Sequence, residues 1–232
     1  MTKLASLIVS LLITTFGYTA HADDHTEKNQ APLPMAIFST YEIPGGGSPS
    51  AIQAALTEYL KAEEAAGYDD CTMYQHQFGA QRGFYTSCVF KDLDHFAEIV
   101  DGGPQPVVAE DDTQLFGAHS DHIVSMTSRG MTERPKHILF ATTTFSPTMT
   151  YSEMVKSADL YYGVYEEAFA RCNRYEHAWG PEMAFYITCG FDNYAAFSKS
   201  VKKLMPLFQE KLYDAALGIR THSDDLLIKV MD

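Results

Sequence analysis

From residue 35 onward the chain alternates short apolar runs with longer segments of helical period, and it does so twice. MAIFSTYEI (35–43) and KHILFATTT (136–144) read as strands. Each is followed by a helical segment. The first, SAIQAALTEYLKAEEAAG (50–67), is rich in Ala and Glu, with Ser48 and Ser50 available as N-caps. The second is YSEMVKSADLYYGVYEEAFARC (151–172). Two more strands follow in each half, joined by a turn at Gly79 or Gly180. A second helical region comes next. In the first half it is DLDHFAEIV (92–100), broken by GGPQP and resuming near EDDTQLFG. In the second it runs from about Asn193 to Leu217, with Pro206 as a point of kinking. HIVSMTS (122–128) and LLIKVM (226–231) close the two halves as strands.

The halves share more than their order of elements. CTMYQHQFGAQRGFYTSCVF (71–90) aligns without a gap on CNRYEHAWGPEMAFYITCGF (172–191), 101 positions later. The same offset places 35–43 on 136–144. His119-Ser-Asp and His222-Ser-Asp are 103 apart, so the second half has gained two residues by then. Each half is β-α-β-β-α-β, the split βαβ arrangement, and about 100 residues is an ordinary domain size. The order and the duplication resemble the dimeric α/β-barrel superfamily with both protomers fused in one chain. That resemblance implies an α+β fold of two tandem ferredoxin-like repeats, 35–131 and 132–232, whose sheets face one another in a barrel. No motif diagnostic of one member family is present.

Residues 1–22 have the layout of a secretory signal. Lys3 precedes an apolar stretch, and Ala20-His21-Ala22 fits the small-x-small cleavage pattern. Residues 23–34 are polar and Pro-rich, a flexible leader. The chain is thus expected in the periplasm or outside the cell, with no stable membrane insertion after cleavage. Cleavage would remove one Lys and no acid, taking the formal charge from −13 to −14. Excess acid without a basic stripe disfavours nucleic acid as a partner. The oligomeric state stays open, and a monomer is compatible with a barrel closed by one chain.

In an exported protein the even set Cys71, Cys88, Cys172 and Cys189 suggests disulfides. The matched spacing of 17 selects Cys71–Cys88 and Cys172–Cys189 over the other two connectivities. Side chains alternate along a strand, so a bridged hairpin fixes both faces. Cys71, Met73, Phe84, Cys88 and Phe90 share the helix-facing side. Tyr74, His76, Phe78 and Tyr85 take the other, as do Tyr175, His177, Trp179 and Tyr186. This second face would line the space between the sheets, and its mixture of aromatic, hydroxyl and imidazole groups suits a small-molecule pocket.

The candidate chemistry follows from that face. His76 or His177 would move a proton, since imidazole titrates near pH 6.5. Tyr74 or Tyr175 would polarise an oxygen. Tyr85, Tyr186 and Trp179 would line the ligand, with His119 and His222 at the pocket mouth. A simpler reading has the His-Ser-Asp triplets shaping the turn into the last strand. His119 and His122, spaced i, i+3, offer a weak metal pair. No Gly-x-Ser-x-Gly, Gly-x-Gly-x-x-Gly, phosphate loop, Cys-x₂-Cys or haem-attachment motif occurs, and no cofactor is specified. The expected function is binding of a small apolar or aromatic molecule between the sheets, with His/Tyr acid–base chemistry as its catalytic form. The alternatives are a haem protein using one of these imidazoles, or a filled barrel with a structural or partner-binding role.

Overall fold

The computed structural model describes residues 32–79, 82–102 and 115–231. The signal segment, nearly all of the leader and the start of the helical stretch near 110 lie outside these residues. Twelve elements follow in order: β1 (Met35–Glu42), α1 (Pro49–Ala66), β2 (Asp70–Phe78), β3 (Gly83–Phe90), α2 (Leu93–Gly102), β4 (His119–Arg129), β5 (His137–Phe145), α3 (Tyr151–Phe169), β6 (Cys172–Trp179), β7 (Ala184–Phe191), α4 (Tyr194–Leu212) and β8 (Ile219–Met231).

The helix boundaries follow from local chemistry. Ser48 caps α1 by accepting from the Ala51 amide, Pro49 opens the first turn, and Gly67 closes the helix at φ 125°. Thr150 and Glu153 cap α3 reciprocally. Asn193 caps α4, which carries Pro206 inside it. The buried residues of α1, Ile52, Leu56 and Leu60, recur every four positions and form one stripe.

The eight strands close into a barrel in the order β1-β3-β2-β8-β5-β7-β6-β4. Cut at two seams, the ring reads β4-β1-β3-β2 and then β8-β5-β7-β6, the same ferredoxin-like order twice. All eight neighbouring pairs are antiparallel. The halves are therefore related by a pseudo-twofold along the barrel axis. The seams are β2–β8 and β4–β6, so the last strand of each half pairs with the His-bearing strand of the other.

Three apolar cores result. One packs α1 and α2 on Cys71, Met73, Phe84, Cys88 and Phe90. Another packs α3 and α4 on Cys172, Phe185, Ile187 and Cys189. The third fills the barrel and draws on both halves, with Phe38, Tyr74 and Tyr85 against Phe140, Tyr175 and Tyr186. Cys71 registers with Cys88 and Cys172 with Cys189, and both pairs are bonded. The bridges lie on the helix-facing side of their hairpins, which leaves the barrel interior to the tyrosines. Two disulfides indicate an oxidising compartment. Among the described residues no helix is long and apolar enough to cross a membrane.

Two readings of the sequence need correction. The offset of 101 fails in the first strand. Phe38, inside the barrel, would fall on Leu139, which faces the helices. Phe38 registers with Ser87 and Phe140 with Thr188, so the true counterpart lies 102 positions on. Apolar strands look alike under a one-residue shift, but the shift exchanges faces, and packing selects the register. The His-Ser-Asp triplets are also not turns. Both lie in strand, in β4 and β8. Alternation then puts His119 and His122 on opposite faces, which removes the proposed metal pair. No cluster of three metal-ligating side chains occurs among the described residues.

Candidate functional site

A cavity of about 460 Å³ occupies one end of the barrel, within the roughly 300–1,000 Å³ range of small-molecule sites. It lies where β1, β2, β5 and β6 begin and the other strands end. Matched residues of the two halves line it: Phe38 with Phe140, Tyr74 with Tyr175, and Ser87 with Thr188. Tyr85, Met126, Ile138 and Leu227 add to the wall. The floor is aromatic. The Phe38 ring centroid is 4.8 Å from that of Tyr175 and 5.6 Å from that of Phe140, and Tyr85 is 5.5 Å from Phe140.

The segment joining the halves forms part of the rim, through residues 131–135. Arg134 fastens it to the first half. Its Nε donates to Asp70 Oδ2 at 2.8 Å, and Nη1 donates to Ser87 Oγ at 3.4 Å. Lys229 Nζ donates to the Arg134 carbonyl at 3.1 Å. Tyr74 donates to the Pro135 carbonyl at 3.3 Å. Asn173 Oδ1 accepts from the Gly130 and Met131 amides. One hydroxyl is left over: Thr188 is 6% exposed, and its Oγ1 has no partner.

Beyond the aromatic floor the interior turns polar, and the two seams build related but unlike constellations. At the first, Asp225 from β8 lies beside His76, with Nε2 to Oδ1 at 3.6 Å. Tyr85 is near enough to feel the same carboxylate: burial, followed by the Asp225 charge, pushes its phenol well above the usual range. At the second, His122 from β4 takes the place of Asp225. Its Nδ1 is 2.9 Å from the Tyr186 hydroxyl, and burial holds the imidazole below its ordinary range, with His177 acting in the same direction. The repeated glycine belongs to this arrangement. Gly79 and Gly180 have φ of 136° and 147°. A Cβ at Gly79 would fall 2.1 Å from Asp225 Oδ1, and one at Gly180 3.0 Å from His122 Nδ1. Each glycine makes room for the residue arriving from the opposite half.

The structure separates the residues singled out from sequence. Tyr74, Tyr85 and Tyr175 line the cavity. His76, His177 and Tyr186 point inward but sit on the other side of the aromatic floor, outside the lining. Trp179, at the end of β6, is 76% exposed. His119 and His222 are outside the lining as well. Each pairs with the acid two residues on, His119 with Asp121 at 2.9 Å and His222 with Asp224 at 3.0 Å. His119 stacks on Tyr41, and His222 lies beneath α3 against Tyr161 and Tyr165.

Sequence reasoning did not single out Phe38, Phe140 or Arg134; Thr188 follows from the same strand alternation that turns Tyr186 inward. Asp225 was visible only as the residue standing where the first half has His122. Its importance comes from a pairing between halves that no local pattern reveals.

No protein-family model matches the chain, and no curated protein matches it in sequence. Solved structures do resemble it. An anthrone oxidase-like protein superposes with a TM-score of 0.59 at 8% identity, over 85% of this chain and 91% of that one. A candidate monooxygenase of Fusobacterium nucleatum gives 0.57 at 7%, over 87% and 94%. A chlorite dismutase of Candidatus Nitrospira defluvii, in complex with imidazole, gives 0.51 at 8%, over 88% and 92%. At such identities the likeness is one of fold. This chain has the dimeric α/β-barrel fold, with both halves supplied by a single polypeptide.

Proposed function

We propose that this protein is an exported barrel that binds one small aromatic or apolar molecule in the cavity rimmed by residues 131–135. The observation that carries the reading is the cavity itself. Both halves contribute matched residues to one space with an aromatic floor, and the buried Thr188 hydroxyl beside it lacks a partner. A buried hydroxyl left unpaired costs about 1–3 kcal/mol, and a bound molecule would relieve that cost. The pairing of one copy of each residue per half favours a single shared site over two equivalent ones. Export is supported by the signal-like N-terminus and the two disulfides.

Acid–base work by His76 and His177 has less support. Neither lines the cavity, and His76 lies beside Asp225 rather than at the cavity wall. A haem at the cavity would have to be held by a tyrosine or methionine of the wall, because among the described lining residues none offers an imidazole or a thiolate.

Native mass spectrometry of protein purified from the periplasm tests the proposal. The wild type should carry a small molecule, or take up an added naphthalene-sized aromatic, with one bound per chain. Val89→Trp, which places a large ring at the cavity wall, should abolish uptake while the circular dichroism stays that of the wild type. A wild type that binds nothing, or a folded Val89→Trp that binds equally well, would refute it.

A further inference from the structure

Each half gives the cavity one matched tyrosine and one small hydroxyl: Tyr74 and Ser87 from the first, Tyr175 and Thr188 from the second. The segment joining the halves breaks that symmetry, because it bonds both members of the first pair. Tyr74 donates to the Pro135 carbonyl at 3.3 Å, and Ser87 accepts from Arg134 Nη1 at 3.4 Å. The second pair has no such contact with the segment among the described residues.

That second pair keeps two hydrogens to give. Tyr175 accepts from Asn173 Nδ2 at 3.3 Å. The amide cannot be turned the other way, because Asn173 Oδ1 already accepts from the Gly130 and Met131 amides at 3.0 and 2.9 Å. The phenol oxygen is therefore the acceptor, and its own hydrogen has no acceptor among the described residues. Thr188 registers with Asn173 on the neighbouring strand. It is 6% exposed, and its Oγ1 has no partner. A fold seldom leaves a buried hydroxyl unpaired without a use for it. Asn173, Tyr175 and Thr188 all line the cavity.

Taking the cavity as the binding site proposed above, we infer that its ligand is an uncharged aromatic carbonyl compound, with the carbonyl oxygen set against Tyr175 and Thr188. A carbonyl oxygen has two lone pairs and no hydrogen, which matches a pair of donors. The ring system rests on the aromatic floor of Phe38 and Phe140. A carboxylate suits the site less well. Buried charge needs a charged partner, and Arg134 on the lining is already held by Asp70 at 2.8 Å. Asp69, Asp70 and Glu133 also outnumber Arg129 and Arg134 there, so an anion would enter against an excess of negative charge. The joining segment sets the direction of binding: with the first pair engaged by Arg134 and Pro135, the second half reads the carbonyl.

Equilibrium dialysis with 2-acetylnaphthalene, 2-isopropenylnaphthalene and 2-naphthoate tests the inference. The first two have nearly the same shape, a C=O in one standing where the other has C=CH₂. Apolar transfer alone favours the alkene. One net hydrogen bond should instead make the ketone bind about 2- to 12-fold tighter than the alkene, and naphthoate should bind more weakly than the ketone. Thr188→Val and Tyr175→Phe should each bring the ketone-to-alkene ratio toward one while leaving the alkene affinity nearly unchanged. Thr188→Val removes an unpaired hydroxyl with little change in size, so it should fold at least as stably as the wild type, and a changed ratio there reports recognition. A wild-type ratio of one or below would overturn the inference. So would a ratio unchanged in both folded variants, or naphthoate bound more tightly than the ketone. If none of the three binds, the cavity reading itself fails, an outcome set apart because it leaves no ratio to measure.

Discussion

Replacing the repeated glycine by alanine should harm the two halves unequally. Both residues lie at positive φ, 136° at Gly79 and 147° at Gly180. An L-residue held there costs roughly 1–2 kcal/mol, so backbone strain alone predicts equal effects. The surroundings break the tie. At Gly79 the new methyl would meet the Asp224 carbonyl oxygen at 2.6 Å, the Asp225 Cα at 2.8 Å and Asp225 Oδ1 at 2.1 Å. Two of these are backbone atoms of β8 and cannot swing away. At Gly180 the nearest atoms are the Asp121 oxygen and His122 Nδ1, both at 3.0 Å, and a shift of a few tenths of an ångström relieves them. Overpacking of the first kind adds about 1–3 kcal/mol. Gly79→Ala should therefore cost about 2–5 kcal/mol and Gly180→Ala about 1–2.

Urea unfolding followed by circular dichroism measures both, provided the slope of each transition matches the wild type. Gly79→Ala combined with Asp225→Ala should cost less than the sum of the single changes, since the side-chain overlap is gone and only the backbone contact remains. Equal costs for the two glycines, or a larger cost at Gly180, would refute the account of why the motif keeps glycine there.

Three further outcomes are expected. Each disulfide closes a loop with a sequence separation of 17, worth about 3 kcal/mol in the chain-entropy model; unfolding of Cys71→Ala/Cys88→Ala and of Cys172→Ala/Cys189→Ala should show comparable losses, and a loss near zero for either would contradict the model. Burial lowers the His122 pKa, so between that value and about 6.5 the unfolded chain binds more protons than the folded one and stability falls as pH drops. Thermal melts from pH 7.5 to 5.5 should fall more steeply for the wild type than for His122→Asn, in which His137, lowered in the same direction, still adds to that slope; identical slopes would discount His122. A ring nitrogen of both His76 and His177 lacks a hydrogen-bond partner, so the ion-pair contact of His76 with the buried Asp225 at 3.6 Å separates them; His76→Ala should cost more stability than His177→Ala, and the reverse order in chemical denaturation would sink the distinction.

The sequence by itself determined what is local or repeated. Matched Cys spacing named both bridges, because a hairpin places its two strands side by side whatever surrounds it. Once the bridges were known, the two-residue period of a strand assigned Tyr74, Tyr85, Tyr175 and Tyr186 to the interior. Duplication and element order were enough to reach a barrel of two ferredoxin-like halves. Tertiary structure decided the rest. The first strand carries apolar residues on both faces, so sequence left its register ambiguous by one residue, and packing chose Phe38 and Phe140 as the partners inside. Closure through β2–β8 and β4–β6 delivered Asp225 to His76 and His122 to Tyr186, contacts between the two halves that no spacing rule encodes. The aromatic floor then divided the inward face, leaving Tyr74, Tyr85 and Tyr175 on the cavity side and Tyr186 with the repeated histidines beyond it. Alternation says which way a side chain points, but its height along the barrel axis, and so whether it reaches a ligand, is set only when the ring closes.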